Sequence, residues 1–365
     1  MAQNISLEGV KLVARMNNLI LFHADSRLDA GMGHVMRCIA LAGELNMPAG
    51  FLCQPNGAVQ RLVKQAGFLF FPLQDEKGLY DQVKNLSPAA VVADSYGISG
   101  EEIEPVKREI PLLIVIDDLN DRYLPADLLI NGNITAFDLG YIPDKRLLLG
   151  PEYVLLREEF RNCPPKKIVE RARKLMVTIG GSDPLDLMPF LLNALSGLNL
   201  HIKAVMGPHF KTREKLISIA KRQKSFLNGF LELVESPDMA DLMRWADLAV
   251  SAGGSTLYEL CATGTPAVVL AIADNQVPAA RALDKQGCVW YLGFHDEVLG
   301  YGFEDLRDVK EESSLKSLAQ AVKTLAQDYF RRSRMSHLGQ VLVDGLGTKR
   351  CAAVIREISY SEEIL

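Results

Sequence analysis

The chain has 365 residues, 48% hydrophobic and 23% charged, with a net charge of −5 at neutral pH. That length suits two domains of ordinary size, and the mild acidity argues against nucleic acid or an anionic membrane surface as partner. No apolar run of about 18 residues occurs, so no membrane span is expected, and six scattered cysteines without CxxC or Cys/His spacing read as free thiols in a reducing cytoplasm, with no metal site.

Residues 1–17 are mixed and polar and read as an N-terminal extension without the apolar core of a signal peptide. From there, apolar strand-like runs alternate with amphipathic ones. Strands are expected at 18–23, 49–53, 68–72, 89–94, 112–117, 127–131 and 147–149, with helices at 34–45, 58–66, 77–85 and 101–109. Continuous apolar strands alternating with helices predict a parallel sheet covered on both faces. Around 150–172 the alternation stops, and Cys163-Pro164-Pro165-Lys166-Lys167 reads as a linker. It then restarts, with strands at 174–179, 201–206, 228–232, 247–251, 266–271 and 288–292. Helices are expected at 184–196, 211–222, 237–245, 255–263 and 276–286, and in the tail near 313–328, 330–337 and 347–359. The fold class is therefore α/β, with two doubly wound halves of similar size, each with a glycine turn after its first strand.

Ligands of open α/β sheets bind beyond the carboxyl ends of the strands. The chemistry-bearing residues fall there. Gly31-Met32-Gly33-His34-Val35-Met36-Arg37 follows the first strand and opens a helix, placing at the helix entrance a side chain that exchanges protons near neutral pH. Asp25 ends the first strand, and Asp94-Ser95-Tyr96 and Asp117-Asp118 end later strands of that half, so these residues are well placed for a site. For Asp94 and Asp117 the alternative is ordinary strand-end hydrogen bonding. For Arg37 it is a structural salt bridge.

In the second half, Gly180-Gly181-Ser182-Asp183-Pro184 is again strand, glycine turn and helix start. Ser182 or Asp183 suits the N-cap and Pro184 the first turn. Gly253-Gly254-Ser255-Thr256 follows a strand and opens a helix whose first N–H groups suit a diphosphate. Glu259 lies one turn on, where a carboxylate can accept from two vicinal ribose hydroxyls. Asn275 and Gln276 follow the next strand and can hold sugar or phosphate oxygens without charge, or merely cap a helix. No GxGxxG with a ribose-binding acid, no GxxxxGK[ST] and no GxSxG is present, which disfavours nicotinamide enzymes, P-loop kinases and serine hydrolases of the nucleophile-elbow type.

In order along the chain stand Gly31-Met32-Gly33-His34-Val35-Met36-Arg37, Asp94-Ser95-Tyr96-Gly97, Ile116-Asp117-Asp118-Leu119, Gly150-Pro151-Glu152-Tyr153-Val154-Leu155-Leu156-Arg157, Gly180-Gly181-Ser182-Asp183-Pro184, Ala252-Gly253-Gly254-Ser255-Thr256-Leu257-Tyr258-Glu259 and Ala273-Asp274-Asn275-Gln276. This series resembles the UDP-2,4-diacetamido-2,4,6-trideoxy-β-L-altropyranose hydrolases of pseudaminic acid biosynthesis, which are similar to MurG-type glycosyltransferases. The resemblance implies a GT-B architecture, two Rossmann-like domains facing across a cleft, and a cytoplasmic enzyme without cofactor or metal. It implies an N-terminal catalytic and sugar-side domain at 18–155, a linker at 156–172, a UDP-binding domain at 173–346 and a C-terminal helix at 347–365 crossing back to the first domain.

The implied reaction is attack of water on the anomeric carbon of a UDP-activated amino sugar, with inversion and C–O cleavage, leaving UDP and free sugar. His34 is the implied catalytic residue. Asp25, Gly31, Gly33, Arg37, Asp94, Tyr96, Asp117 and Arg157 are assigned to the sugar side. Gly180, Gly181, Ser182, Gly253, Gly254, Ser255, Thr256, Glu259, Asn275 and Gln276 are assigned to UDP. No oligomer is implied. A glycosyltransferase using the same donor site and a non-catalytic sugar-nucleotide binder are the competing readings. One departure stands out: the family pattern Arg-Ala-Asp-Ala-Ser is here His23-Ala24-Asp25-Ser26-Arg27, so imidazole replaces a guanidinium on the first strand.

Overall fold

The computed structural model describes residues 18–27, 32–181, 183–207, 210, 212–223, 230–235, 237–299 and 311–361. They form two compact units, one running to Glu158 and resuming at Leu346, the other spanning Glu159–Gly345.

The first unit is built on a seven-stranded sheet in the order β3-β2-β1-β4-β5-β6-β7. Its strands are β1 (Ile20–Ala24), β2 (Ala49–Cys53), β3 (Leu69–Pro72), β4 (Ala90–Asp94), β5 (Leu112–Ile116), β6 (Leu128–Asn131) and β7 (Arg146–Leu149), and every pairing is parallel. Consecutive side chains point to opposite faces, and both faces are covered. On β4, Ala90 and Val92 join one core cluster while Val91 and Ala93 join another. The helices are α1 (Gly33–Leu45), α2 (Gly57–Gln65), α3 (Leu79–Leu86) and α4 (Gly100–Glu109). A Ser99/Glu102 capping box starts α4.

The second unit has a six-stranded parallel sheet in the order β10-β9-β8-β11-β12-β13. The strands are β8 (Lys174–Thr178), β9 (His201–Met206), β10 (Phe230–Glu235), β11 (Leu248–Ala252), β12 (Ala267–Ala271) and β13 (Trp290–Phe294). Around it lie α5 (Met188–Leu195), α6 (Arg213–Gln223), α7 (Met239–Trp245), α8 (Thr256–Ala262), α9 (Val277–Lys285), α10 (His295–Leu299), α11 (Glu311–Gln327) and α12 (Tyr329–Leu342). The short α10 has no counterpart in the expected series.

α13 (Gly347–Ser361) belongs to the first unit. Its Cys351, Ala352, Ile355 and Ile358 share a core with Val35, Cys38, Leu41 and Leu45 of α1. Thr348 Oγ1 donates to the Leu156 carbonyl at 2.7 Å, and Arg356 Nη1 to that of Glu44 at 3.0 Å.

The stretch 156–172 is not an extended tether throughout. Phe160 is fully buried, and Ala172 lies in the core of the second unit. Buried Arg332 donates from Nη2 to the carbonyls of Val169 at 2.6 Å and Glu170 at 3.0 Å, pinning this segment to α12.

Candidate active site

In the first unit, β1 and β4 are neighbours with Ala24 opposite Asp94. The backbone N–H of Asp25 donates to the Asp94 carbonyl at 2.8 Å. α1 begins beside these strand ends, and its first turn carries His34, 5% exposed. His34 Nδ1 lies 2.6 Å from Oδ1 of fully buried Asp94. An ionised carboxylate can only accept, so Nδ1 carries the proton and the lone pair of the neutral ring falls on Nε2. The Tyr96 ring packs edge-on against the imidazole, with centroids 4.6 Å apart.

Arg37, one turn along α1, clamps this pair. Its Nε and Nη2 donate to the two Asp94 oxygens at 2.6 Å each, and Nη1 and Nη2 donate to Asp118 at 3.1 and 2.9 Å. Asp118 also accepts from Tyr96 Oη at 3.0 Å and Asn133 Nδ2 at 2.9 Å. Burial alone would raise the Asp94 and Asp118 carboxyls, but the Arg37 guanidinium outweighs it and holds both below the usual range. Burial and the neighbouring Asp118 push the Tyr96 phenol far above its ordinary value, so it acts as a donor. One guanidinium between two carboxylates leaves one net negative charge, which a proton arriving on His34 neutralises.

The predicted residues divide. His34, Arg37, Asp94 and Tyr96 come together, with Gly33 at the start of α1. Asp117 faces elsewhere: its carboxylate accepts from the N–H groups of Leu119 and Asn120 at 3.2 and 3.0 Å and from Tyr141 Oη at 2.9 Å, building the turn after β5. This is the strand-end hydrogen bonding that stood as its alternative, and its neighbour Asp118 is the one that meets Arg37. Asp25 is buried and grips Arg27, with Nε at 3.0 Å and Nη2 at 2.7 Å. Arg157 is half-buried after β7. Gly31 lies outside the described residues.

In the second unit, β8 and β11 pair with Thr178 opposite Ser251, so Gly180-Gly181 and Gly253-Gly254 emerge from adjacent strand ends. Gln276 joins them to the end of β12. Its Oε1 accepts from the N–H of Gly253 at 3.1 Å and of Ile272 at 3.0 Å. Gly253 is required here, because a Cβ would stand 2.9 Å from that of Gln276. Gln276 therefore satisfies Gly253, and the N–H groups of Gly254, Ser255 and Thr256 open α8 without a protein acceptor among the described residues. Glu259 is half-buried on α8, and Asn275 is exposed. Ser182 lies outside the described residues.

Asp183 is not a phosphate-facing group. It is buried, and its carboxylate accepts from the N–H groups of Leu187 and Met188 at 2.8 and 2.9 Å. It thereby places the start of α5 at Met188 rather than at Pro184.

Among the described residues, no group of three or more His, Cys, Asp or Glu side chains could hold a metal ion, and no helix is long and apolar enough to cross a membrane.

The glycosyltransferase family 28 C-terminal domain matches residues 176–335. A UDP-N-acetylglucosamine–N-acetylmuramyl-(pentapeptide) pyrophosphoryl-undecaprenol N-acetylglucosamine transferase of Geobacter metallireducens is 33% identical over 348 residues, covering 89% of this chain and 87% of its own. The spore coat polysaccharide biosynthesis protein SpsG of Bacillus subtilis is 26% identical, covering 93% of this chain and 98% of its own. The UDP-2,4-diacetamido-2,4,6-trideoxy-β-L-altropyranose hydrolase of Campylobacter jejuni is 24% identical, covering 73% and 97%. The chain spans about half the length of two further relatives: 54% of an uncharacterized Methanocaldococcus jannaschii protein, and 52% of a Helicobacter pylori protein named as both pseudaminic acid cytidylyltransferase and that hydrolase. Among solved structures, MurG of Acinetobacter baumannii superposes with a TM-score of 0.67 at 16% identity, over 93% of this chain and 99% of that one. The 33% identity across most of both chains and the structural likeness place it by descent and by fold: it belongs to the family of the Geobacter metallireducens N-acetylglucosamine transferase and has the GT-B fold.

Proposed function

We propose that this protein hydrolyses a UDP-linked 2,4-diacetamido-2,4,6-trideoxy hexose to UDP and the free sugar, in the biosynthesis of pseudaminic-type nonulosonic acids. The observation that carries this reading is the buried 2.6 Å hydrogen bond from His34 Nδ1 to Asp94. It fixes the tautomer whose Nε2 can take a proton from water. The water oxygen bonds to the anomeric carbon as its proton passes to Nε2. The bond from that carbon to the β-phosphate oxygen breaks, and its electron pair leaves with UDP. Attack opposite the leaving group inverts the anomeric configuration. The imidazolium that forms is stabilised by the Asp94–Arg37–Asp118 cluster, whose net negative charge it neutralises.

The leaving group is held by the second unit. The N–H groups of Gly254, Ser255 and Thr256 and the positive end of α8 take diphosphate oxygens as charge develops on them. Glu259 accepts from the ribose hydroxyls, and Asn275 and the Gly180-Gly181 backbone add neutral hydrogen bonds.

The 33% identity to a transferase favours one second reading, in which the same Nε2 takes its proton from an acceptor hydroxyl. UDP release from UDP-2,4-diacetamido-2,4,6-trideoxy-β-L-altropyranose, measured without acceptor, separates the two. Hydrolysis predicts steady UDP release, reduced at least about a hundredfold in His34→Ala. Release only after an alcohol acceptor is added supports the transferase, and UDP-sugar binding without turnover in either case supports a binding protein.

A further inference from the structure

His23 replaces the arginine of the family pattern, and the structure puts it in an unusual position. It is 3% exposed on β1. Its Nδ1 lies 3.2 Å from the carbonyl oxygen of Leu52 on β2, and its Nε2 lies 2.5 Å from Oε2 of Glu76. Both partners are acceptors. The Glu76 contact is an ion-pair approach without hydrogen-bond geometry, and a neutral imidazole facing an ionised Glu76 would set a lone pair against one of the two acceptors, so the charged ring suits this position.

Glu76 comes from the segment after β3, which turns back over the carboxyl ends of β1 and β4. Its other oxygen accepts from Ser95 Oγ at 2.9 Å, and Ser95 Oγ in turn accepts from the Gly97 N–H at 3.1 Å. A Cβ on Gly97 would stand 3.2 Å from Glu76 Oε1, so the contact is close. The turn held this way, Asp94-Ser95-Tyr96-Gly97, begins with the carboxylate that orients His34 and carries the ring that walls it.

We propose that Glu76 is a positioning residue for His34, held by the positive charge of His23, and that loss of this charge at alkaline pH loosens the Asp94–Gly97 turn and slows turnover. Among the described residues, the charged groups acting on His23 are Glu76, from the segment after β3, and Asp25, from the end of its own strand, and β2 adds the Leu52 carbonyl. Burial opposes the charged ring, but Glu76, Leu52 and Asp25 together outweigh it and raise the His23 pKa above its ordinary value. Burial likewise opposes the Glu76 carboxylate, and His23 outweighs it. The proton lost by His23 goes to solvent.

The effect on rate rests on the hydrolase reading, so the test pairs a kinetic with a non-kinetic measurement on the full chain. kcat and KM for the UDP-linked sugar above are followed from pH 6 to pH 9.5 in the wild type and Glu76→Gln. The ring signals of His23 and Tyr96 are titrated by NMR over the same range. The wild type is expected to lose kcat as His23 deprotonates, with the Tyr96 signals moving in step. Glu76→Gln is expected to have kcat about tenfold lower at neutral pH, KM within about twofold, and no such alkaline limb. A wild-type His23 that titrates at or below about pH 6.5, or the same alkaline limb in both proteins, overturns the proposal. If Glu76→Gln does not fold, the wild-type His23 and Tyr96 titrations decide alone. A wild type that releases no UDP at any pH refutes the hydrolase reading and leaves the latch to be judged by NMR.

Discussion

Asp94→Asn perturbs the centre of the candidate site with almost no change in volume. In the wild type the two oxygens of Asp94 accept from His34 Nδ1, Arg37 Nη2 and Arg37 Nε at 2.6 Å each, and from the Cys38 thiol at 3.5 Å. Asparagine keeps one acceptor and puts an N–H₂ donor in place of the other. If the amide nitrogen faces His34, Nδ1 must accept, and the ring proton moves to Nε2, the nitrogen that has to receive the proton of water. If it faces Arg37 Nε, two donors oppose each other in a buried place. Removing one partner of a buried ion pair costs about 3–5 kcal/mol, but Asp118 still faces Arg37, so about 2–3 kcal/mol of lost stability is the reasonable figure. A domain with a stability of about 5–15 kcal/mol stays folded after that loss. The kinetic effect is larger. Reversing the histidine tautomer in a Ser-His-Asp hydrolase lowers kcat by about 10⁴, and a loss of about 10²–10⁴ is expected here, equivalent to about 3–5.5 kcal/mol of transition-state stabilisation. UDP release is measured alongside thermal unfolding and circular dichroism. A folded Asp94→Asn protein with kcat within about threefold of wild type would refute the assignment of Asp94 as the group that orients His34.

Three further outcomes follow from the geometry. Glu259→Ala should weaken UDP binding by about 1.5–3 kcal/mol, the usual worth of hydrogen bonds to a charged group, and titration calorimetry with UDP checks it; unchanged affinity removes Glu259 from the nucleotide site. Gly207→Ala places a Cβ 2.2 Å from the backbone oxygen of Gly181, so it should lower stability by about 1–3 kcal/mol through overpacking. Gly197→Ala, with nothing within 4 Å of the new Cβ, should not, and matching melting temperatures in the two variants would contradict the close approach. Acid should destabilise the first unit through Asp25, Glu76, Asp94 and Asp118. Burial opposes each of these carboxylates, and Arg27, His23 and Arg37 outweigh it, lowering all four. A lowered folded pKa contributes stability that is present above about pH 4 and lost as pH falls through the folded value. The melting temperature should therefore drop steeply below about pH 4, and a flat profile there would contradict these pairings.

What could be read from the chain and what could not have physical reasons. Runs such as Leu112–Ile116 are apolar at every position because both faces of the sheet are covered, so the strands stand out without any alternation to interpret. Their order along the chain then brings Gly33, His34 and Asp94 to one end of the first sheet, and Gly180, Gly181 and Gly253 to one end of the second. Side-chain choices between neighbours were not legible. Asp117 and Asp118 are both acids at a strand end, and only the direction each takes in the turn decides that Asp118 meets Arg37 while Asp117 takes backbone N–H groups. Glu76 is an ordinary charged residue in a segment after an edge strand, and its contacts with His23 and Ser95 depend on how that segment folds back. The sequence leaves open whether Gln276 offers its amide to a ligand or caps a helix, and which way its carbonyl oxygen turns, here to the N–H groups of Gly253 and Ile272, depends on how the loop after β12 folds back. α5 starts later than the Pro184 turn predicts because the Asp183 carboxylate reaches past it to the N–H groups of Leu187 and Met188.

The most direct test of the central claim uses the wild-type protein, UDP-2,4-diacetamido-2,4,6-trideoxy-β-L-altropyranose and ¹⁸O-water, with no acceptor, and mass spectrometry of both products. Water activated by His34 and attacking the anomeric carbon predicts one ¹⁸O on the released sugar and none on UDP. Label on the UDP phosphate would place the cleavage at phosphorus and contradict the account, as would intact donor with no UDP released.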